Sequence, residues 1–219
     1  MVFVLRVLLP GGIAAAKKTH AVSEGKTAVV PPRWPFVILM VASILRAWVV
    51  FAAITYLPMY LVSQGYDLVT ASMIMTLMLL AGVAGQVAGG RISDQFGRKE
   101  FMVFTLAGAI PFFCLFIVTS GILAIASLLC FGFCLWATFS VAVAIGHELL
   151  PQNVGLASGI MLGFAIGFGG LGVAVNGMIA DHYSLAAAIG TIPLPLAAAV
   201  VLMAFLPYPW KSLQRHLNK

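Results

Sequence analysis

The sequence predicts an all-α integral membrane domain of six transmembrane helices, and three observations lead there. First, the 219 residues are 62% hydrophobic and only 8% charged. A soluble domain carries roughly 25% charged residues, so this chain has too little polar surface to face water. Second, its mean hydropathy is +1.09. Third, six apolar runs of about twenty residues, the helical length that crosses a ~30 Å hydrocarbon core, recur between short polar breaks. Unpaired backbone polar groups are so costly in lipid that each run must close its hydrogen bonds internally, as a helix does.

In order, the expected spans run from Pro35 to Leu61, Thr70 to Gly89, Phe101 to Thr119, Ile122 to Gly146, Val154 to Ala180 and Leu185 to Leu206. Pro58, Pro111, Pro193 and Pro195 fall within them and are expected to bend their helices, because proline removes a backbone donor. Cys114, Cys130 and Cys134 lie inside apolar runs, without metal-ligand spacing, and read as buried small hydrophobes.

Charge placement sets the orientation. Of the twelve Lys and Arg residues, Arg6, Lys17, Lys18, Lys26 and Arg33 precede the first span, Arg91, Arg98 and Lys99 follow the second, and Lys211, Arg215 and Lys219 follow the last. Only Arg46 is inside a span, and residues 62–69 and 181–184 and the turn near 120 hold none. The positive-inside rule then puts both termini in the cytoplasm. A nucleic-acid binder would cluster its basic residues on a folded polar face, which this pattern excludes.

Residues 1–33 stand apart. Met1 to Pro10 is apolar but too short to span, and Arg6 sits within it instead of ahead of it, which disfavours a signal peptide. The segment reads as the cut-short last turns of a preceding helix, followed from Gly11 to Arg33 by a flexible cytoplasmic linker. Residues 34–207 form the six-helix domain, and 208–219 a basic cytoplasmic tail.

The most specific string is Gly90-Arg91-Ile92-Ser93-Asp94-Gln95-Phe96-Gly97-Arg98-Lys99, between the second and third spans. A short connection needs glycine for its turn, and Asp94 and the basic residues suit charge-assisted bonds at helix ends. The bland alternative is an ordinary turn with positive-inside charges.

The string resembles the signature of the major facilitator superfamily, Gly-x-x-x-Asp-(Arg/Lys)-x-Gly-(Arg/Lys)-(Arg/Lys). Gly90, Asp94, Gly97, Arg98 and Lys99 match it, and Gln95 departs where a basic residue is usual. The resemblance implies one six-helix half of a twelve-helix fold. It also implies a loop that latches the cytoplasmic gate, with the partner of Asp94 in the opposite half. More narrowly, the chain is similar to the C-terminal half of fosmidomycin-resistance-type efflux proteins from 35 to 207. That similarity rests on Leu45-Arg46-Ala47-Trp48, Tyr56-Leu57-Pro58-Met59-Tyr60-Leu61, Glu148-Leu149-Leu150-Pro151, Gly155-Leu156-Ala157-Ser158-Gly159 and Gly169-Gly170-Leu171-Gly172. It implies alternating-access efflux of a small drug-like molecule across a bacterial inner membrane.

Arg46 is the twelfth residue from Pro35, about 17 Å along an ideal helix. An intramembrane arginine is costly and normally faces a cavity or a partner. At 100° per residue, Ala42, Val49, Ala53, Tyr56 and Tyr60 share its side, whereas Trp48 and Thr55 point away. One cation with two phenols suits an anionic or polar ligand; the bland alternative is an arginine that snorkels to the interface.

The second span carries Gly82, Gly85 and Gly89 beside Gln86, and the fifth carries Gly155, Gly159, Gly163 and Gly167 at intervals of four. Such ridges let helices approach closely, either as plain packing or as a rocking surface between halves. Gln86 suits either a substrate or a neighbouring helix, and Ser140 is a pocket candidate whose hydroxyl otherwise bonds its own backbone. Glu148, next to His147 at the end of the fourth span, either pairs with Arg98 or Arg91 at the gate or stands as a solvated end charge.

All six acids, Glu24, Asp67, Asp94, Glu100, Glu148 and Asp181, lie at helix ends or in loops, and all four histidines lie outside the spans. Mid-membrane proton carriage by a carboxylate, intramembrane proteolysis and a metal site therefore lack their residues. We expect no enzyme and no cofactor. The expected partners are the lipid bilayer, a small-molecule substrate, and either an N-terminal six-helix half or a second copy of this chain. The rival expectation is an assembly-only or truncated subunit that transports nothing alone.

Overall fold

The computed structural model describes residues 34–208, so the expected linker, 1–33, and all but the first residue of the expected tail lie outside the described residues. The elements are α1 (Trp34–Ser63), α2 (Leu68–Phe96), α3 (Arg98–Val118), α4 (Ile122–Leu149), a 3₁₀ turn (Pro151–Asn153), α5 (Val154–His182), α6 (Leu185–Gly190) and α7 (Pro193–Phe205). Six stretches are long and apolar enough to cross a membrane, the sixth being α6 and α7 together. No strand occurs among the described residues.

Each turn has a local cause. Gly65, with φ of 93°, ends α1, and Asp67 caps α2 by accepting the Val69 N–H at 3.1 Å. Gly121, with φ of 68°, starts α4. Ser184 caps α6 by accepting the Ala187 N–H at 3.1 Å. Side-chain acceptors at these positions satisfy donors that the first helical turn leaves open.

Helix α2 lies along α4, α1 along α5, and α3 and α7 close the remaining sides. The α2–α4 seam is glycine-made. A side chain at Gly85 or Gly89 would collide with the carbonyl oxygens of Phe133 and Ala137, and one at Gly82 would meet the Trp136 ring. Gly132 returns the device from α4, seating Met78. Leu39, Leu57, Phe113, Leu128, Phe131 and Leu135 fill the centre.

Three expectations are corrected. The signature string is not a loop from Gly90 to Lys99: α2 runs helically through Phe96, and the turn collapses onto Gly97 alone. Gly97 adopts φ of 113° and gives its N–H to the Ser93 carbonyl at 3.0 Å, a conformation that only glycine takes cheaply. The sixth span is broken at Thr191–Ile192, where a bend was expected. Pro193 has no N–H for the Ile189 carbonyl, so the Ile192 N–H turns to it at 3.1 Å and the helix restarts at proline. Pro58 and Pro111, by contrast, sit inside continuous helices. Finally, Cys114 and Cys130 are exposed and Cys134 is half-buried: they belong to apolar faces directed away from the centre, where lipid solvates a thiol as well as a core does.

Candidate functional site

At the end of the bundle that carries the signature string, the charges form one cluster. Arg98, the first residue of α3, holds Asp94 at 3.0 Å and reaches Glu148, at the end of α4, at 2.6 Å. The one-residue turn at Gly97 makes this reach available, since it starts α3 directly over the last turn of α2. Asp94 keeps 61% of its side chain exposed. The resemblance implied a partner for Asp94 in another half, and within this half Arg98 already holds it. Arg91 is exposed and makes no ion pair among the described residues.

Two further contacts tie the end of α7 to the same cluster. Lys99, only 3% exposed, donates from Nζ to the Leu206 carbonyl at 2.5 Å, and the Tyr208 hydroxyl donates to Glu148 Oε2. Burial, and after it the bond to Glu148, pushes the Tyr208 phenol above the ordinary tyrosine range. Beside it, His147 Nε2 lies 2.6 Å from Ser158 Oγ and joins α4 to α5. Sequence reasoning had no signal for Tyr208 or Leu206, because the contact joins segments about sixty and one hundred residues apart.

Arg46 lies in the interior, 4% exposed, with its guanidinium carbon 5.2 Å from the centre of the Phe139 ring. Its Nε is sealed from solvent and has no hydrogen-bond partner among the described residues. The other tyrosines of the expected stripe meet different neighbours. Tyr56 donates to the Val173 carbonyl of α5 at 2.9 Å, close against Gly177. Tyr60 packs edge-on against Phe116 of α3 at 6.0 Å. The helical-wheel argument placed these residues on one side of α1 but could not say that three different helices cover that side. Ser140 gives its hydroxyl to the Gln86 backbone carbonyl at 3.1 Å, so it braces α4 against α2, while the Gln86 side chain is half-buried.

The glycine ridges divide by environment. Gly82, Gly85 and Gly89 are buried against α4, whereas nothing lies within 4 Å of a side-chain position at Gly155, Gly159, Gly163 or Gly167. Helix α5 buries its opposite side, through Ala157, Met161, Ala165, Gly169 and Gly172. The open glycines floor a groove of about 650 Å³ walled by Leu156, Phe164, Phe168 and Leu171. Any close packing by this ridge is therefore with something outside the described residues.

Asn176, which sequence reasoning missed, is fully buried in α5. Its Oδ1 accepts the Trp48 indole N–H at 2.6 Å, and its Nδ2 reaches the Ala188 carbonyl at 2.8 Å and Thr191 Oγ1 at 3.1 Å. One amide thus serves α1 and the break in the sixth span. An asparagine inside an apolar run was the available signal.

Comparison with known proteins agrees with this architecture. Residues 1–172 match the family model of the Major Facilitator Superfamily. The chain is 37% identical over 136 residues to the fosmidomycin resistance protein of Escherichia coli (strain K12), covering 60% of this chain and 32% of that protein. It is 31% identical over 131 residues to an uncharacterized MFS-type transporter, YfnC, of Bacillus subtilis (strain 168), covering 60% and 29%. It thus spans about a third of the length of these relatives. The fold superposes on the crystal structure of FucP, a Major Facilitator Superfamily transporter in the outward conformation, with a TM-score of 0.71. That match is at 16% identity and covers 80% of this chain and 43% of the other. Six apolar helices, the signature string across α2 and α3, and the family match over most of the length lead to one conclusion: the chain belongs to the Major Facilitator Superfamily.

Proposed function

We propose that this chain is one half of a secondary active efflux transporter for a small, drug-like anion, working by alternating access. The observation that carries this reading is Arg46. A guanidinium buried in the middle of a membrane span, with Nε unpartnered and no carboxylate bonded to it among the described residues, retains charge for a ligand to neutralise. The likeness to the fosmidomycin resistance protein supports a phosphonate-type anion as substrate. Arg46 attracts the anion, Tyr56 and Tyr60 border its route along α1, and Gln86 supplies a polar side chain from α2. The cluster of Gly90, Asp94, Arg98, Lys99 and Glu148 latches the gate, which the charge bias places on the cytoplasmic side along with both termini. The open ridge from Gly155 to Gly167 is the surface on which a second half, or a second copy, rocks. Exchange against an ion across a bacterial inner membrane completes the reading.

The test is fosmidomycin export from cells producing this half together with an N-terminal six-helix half. Export is expected with both halves, and loss of export in Arg46→Ala at equal abundance. Normal export by Arg46→Ala would remove the anion-binding role. A second reading is favoured by the open groove of α5: alone, the chain is an assembly subunit without transport, and export then never appears without the other half.

A further inference from the structure

At the end of the bundle opposite the signature cluster, a partly enclosed cavity of about 190 Å³ lies between the end of α1, the end of α3 and the start of α4. It is separate from Arg46, which does not line it. Its volume equals about six waters at ~30 Å³ each, which is the scale of a single sugar ring. Two glycines in the left-handed region shape its lips. Gly65 carries Gln64 and Tyr66 to one rim, and Gly121 turns the chain just after Ser120 on the other.

Its chemistry is specific. No acidic or basic side chain lines it, so an ion entering would meet no counter-charge. Its lining joins aromatic and aliphatic surface, buried Phe116 and half-buried Ile125, to the exposed polar residues Gln64 and Ser120 and half-buried Thr119. Tyr60 supplies the second, independent observation. Its side chain is more than nine-tenths buried, yet its hydroxyl makes no hydrogen bond among the described residues. That oxygen is also not among the sealed, unpartnered atoms, so it keeps access to the space the residue borders. A buried phenol normally finds a partner, and here the cavity is where one would sit.

We propose that this cavity binds an uncharged polyol of about one hexose ring, with its apolar face on Phe116 and a hydroxyl on Tyr60. The same chemistry is offered by a free sugar and by the glycosyl headgroup of a membrane lipid. Tyr60 is shared with the proposed anion route, but occupancy of this cavity is read without any transport, so the two readings fail separately.

The experiment uses the full chain in phosphatidylcholine nanodiscs, with Cys114, Cys130 and Cys134 replaced by Ala and Ser120→Cys as a rim reporter. Gln64→Cys serves as a second reporter from the other lip. Maleimide labelling is followed with methyl β-glucoside added, or with monoglucosyl diacylglycerol in the disc. Slower labelling with the soluble glucoside identifies a free polyol, and slowing with the glycolipid alone identifies a headgroup; either supports the site. Tyr60→Phe is expected to raise the half-protecting concentration by about fivefold, the worth of one neutral hydrogen bond. Labelling unchanged by both polyols at both reporters, or equal protection in Tyr60→Phe, would overturn the proposal.

Discussion

Trp48 gives its indole N–H to Asn176 Oδ1 at 2.6 Å, joining residues 128 positions apart. The bond links α1 to α5, and the other end of the same amide holds the Ala188 carbonyl at the break in the sixth span. Three segments thus depend on one buried polar side chain.

Asn176→Ala strips partners from Trp48 and from the break at once. Buried groups left without partners cost about 1–3 kcal/mol, so we expect unfolding in mild detergent to require correspondingly less denaturant. A double-mutant cycle with Trp48→Phe should return a coupling of about 0.6–1.7 kcal/mol, the range of hydrogen bonds between membrane helices. Simple additivity would show that the bond contributes nothing.

The two glycine ridges should respond oppositely to one methyl group. Gly85→Ala forces a carbon against the Phe133 carbonyl, and overpacking of this kind costs roughly 1–3 kcal/mol. Gly159→Ala meets open space and gains helix propensity, up to about 1 kcal/mol. Detergent unfolding of the two variants should therefore diverge in sign. Matching losses would mean that α5 is covered in the isolated chain.

Tyr208 offers a spectroscopic probe of the charged cluster. Burial, with the bond to Glu148 second, raises its folded pKa, while the Arg98 charge opposes the rise. Glu148→Gln should therefore bring phenolate formation to lower pH, and Arg98→Ala should push it higher. Alkaline difference absorbance against a Tyr208→Phe reference reads both shifts. Because the folded pKa is raised, this group's stability contribution is fully present below the unfolded value of about 10 and is lost as pH climbs towards the folded one. Shifts of the same sign in both variants would contradict the arrangement.

The sequence made the fold class readable because membrane solvation leaves one solution for each apolar run, and the signature string carried the family. Charge placement put Glu148 at the same end of the bundle as Arg91 and Arg98 and left its partner open; the structure pairs it with Arg98. What pattern could not supply was tertiary. A helical wheel put Arg46, Tyr56 and Tyr60 on one side of α1, but α4, α5 and α3 each cover a different part of that side. Glycine spacing looked alike in α2 and α5, though among the described residues the first ridge meets a neighbour and the second does not. The helical form of Gly90–Phe96 was hidden because glycine and charge suggest a loop, whereas the backbone ladder continues until Gly97.

At Arg46 the proposed anion-binding role can be separated from stability. Its guanidinium gains about 0.5–2 kcal/mol over Phe139, but burying the charge costs several kcal/mol. With Nε left unpartnered, attraction does not offset that penalty. Arg46→Met, which keeps the length and removes the charge, should leave the detergent-unfolding midpoint unchanged or higher. The same substitution should abolish anion export when this half works beside its partner half. Arg46→Lys keeps a charge but not the planar fork, so export should fall without vanishing. If Arg46→Met instead unfolded several kcal/mol more easily, the arginine would be a strut between α1 and α4, and the anion would have to be held elsewhere.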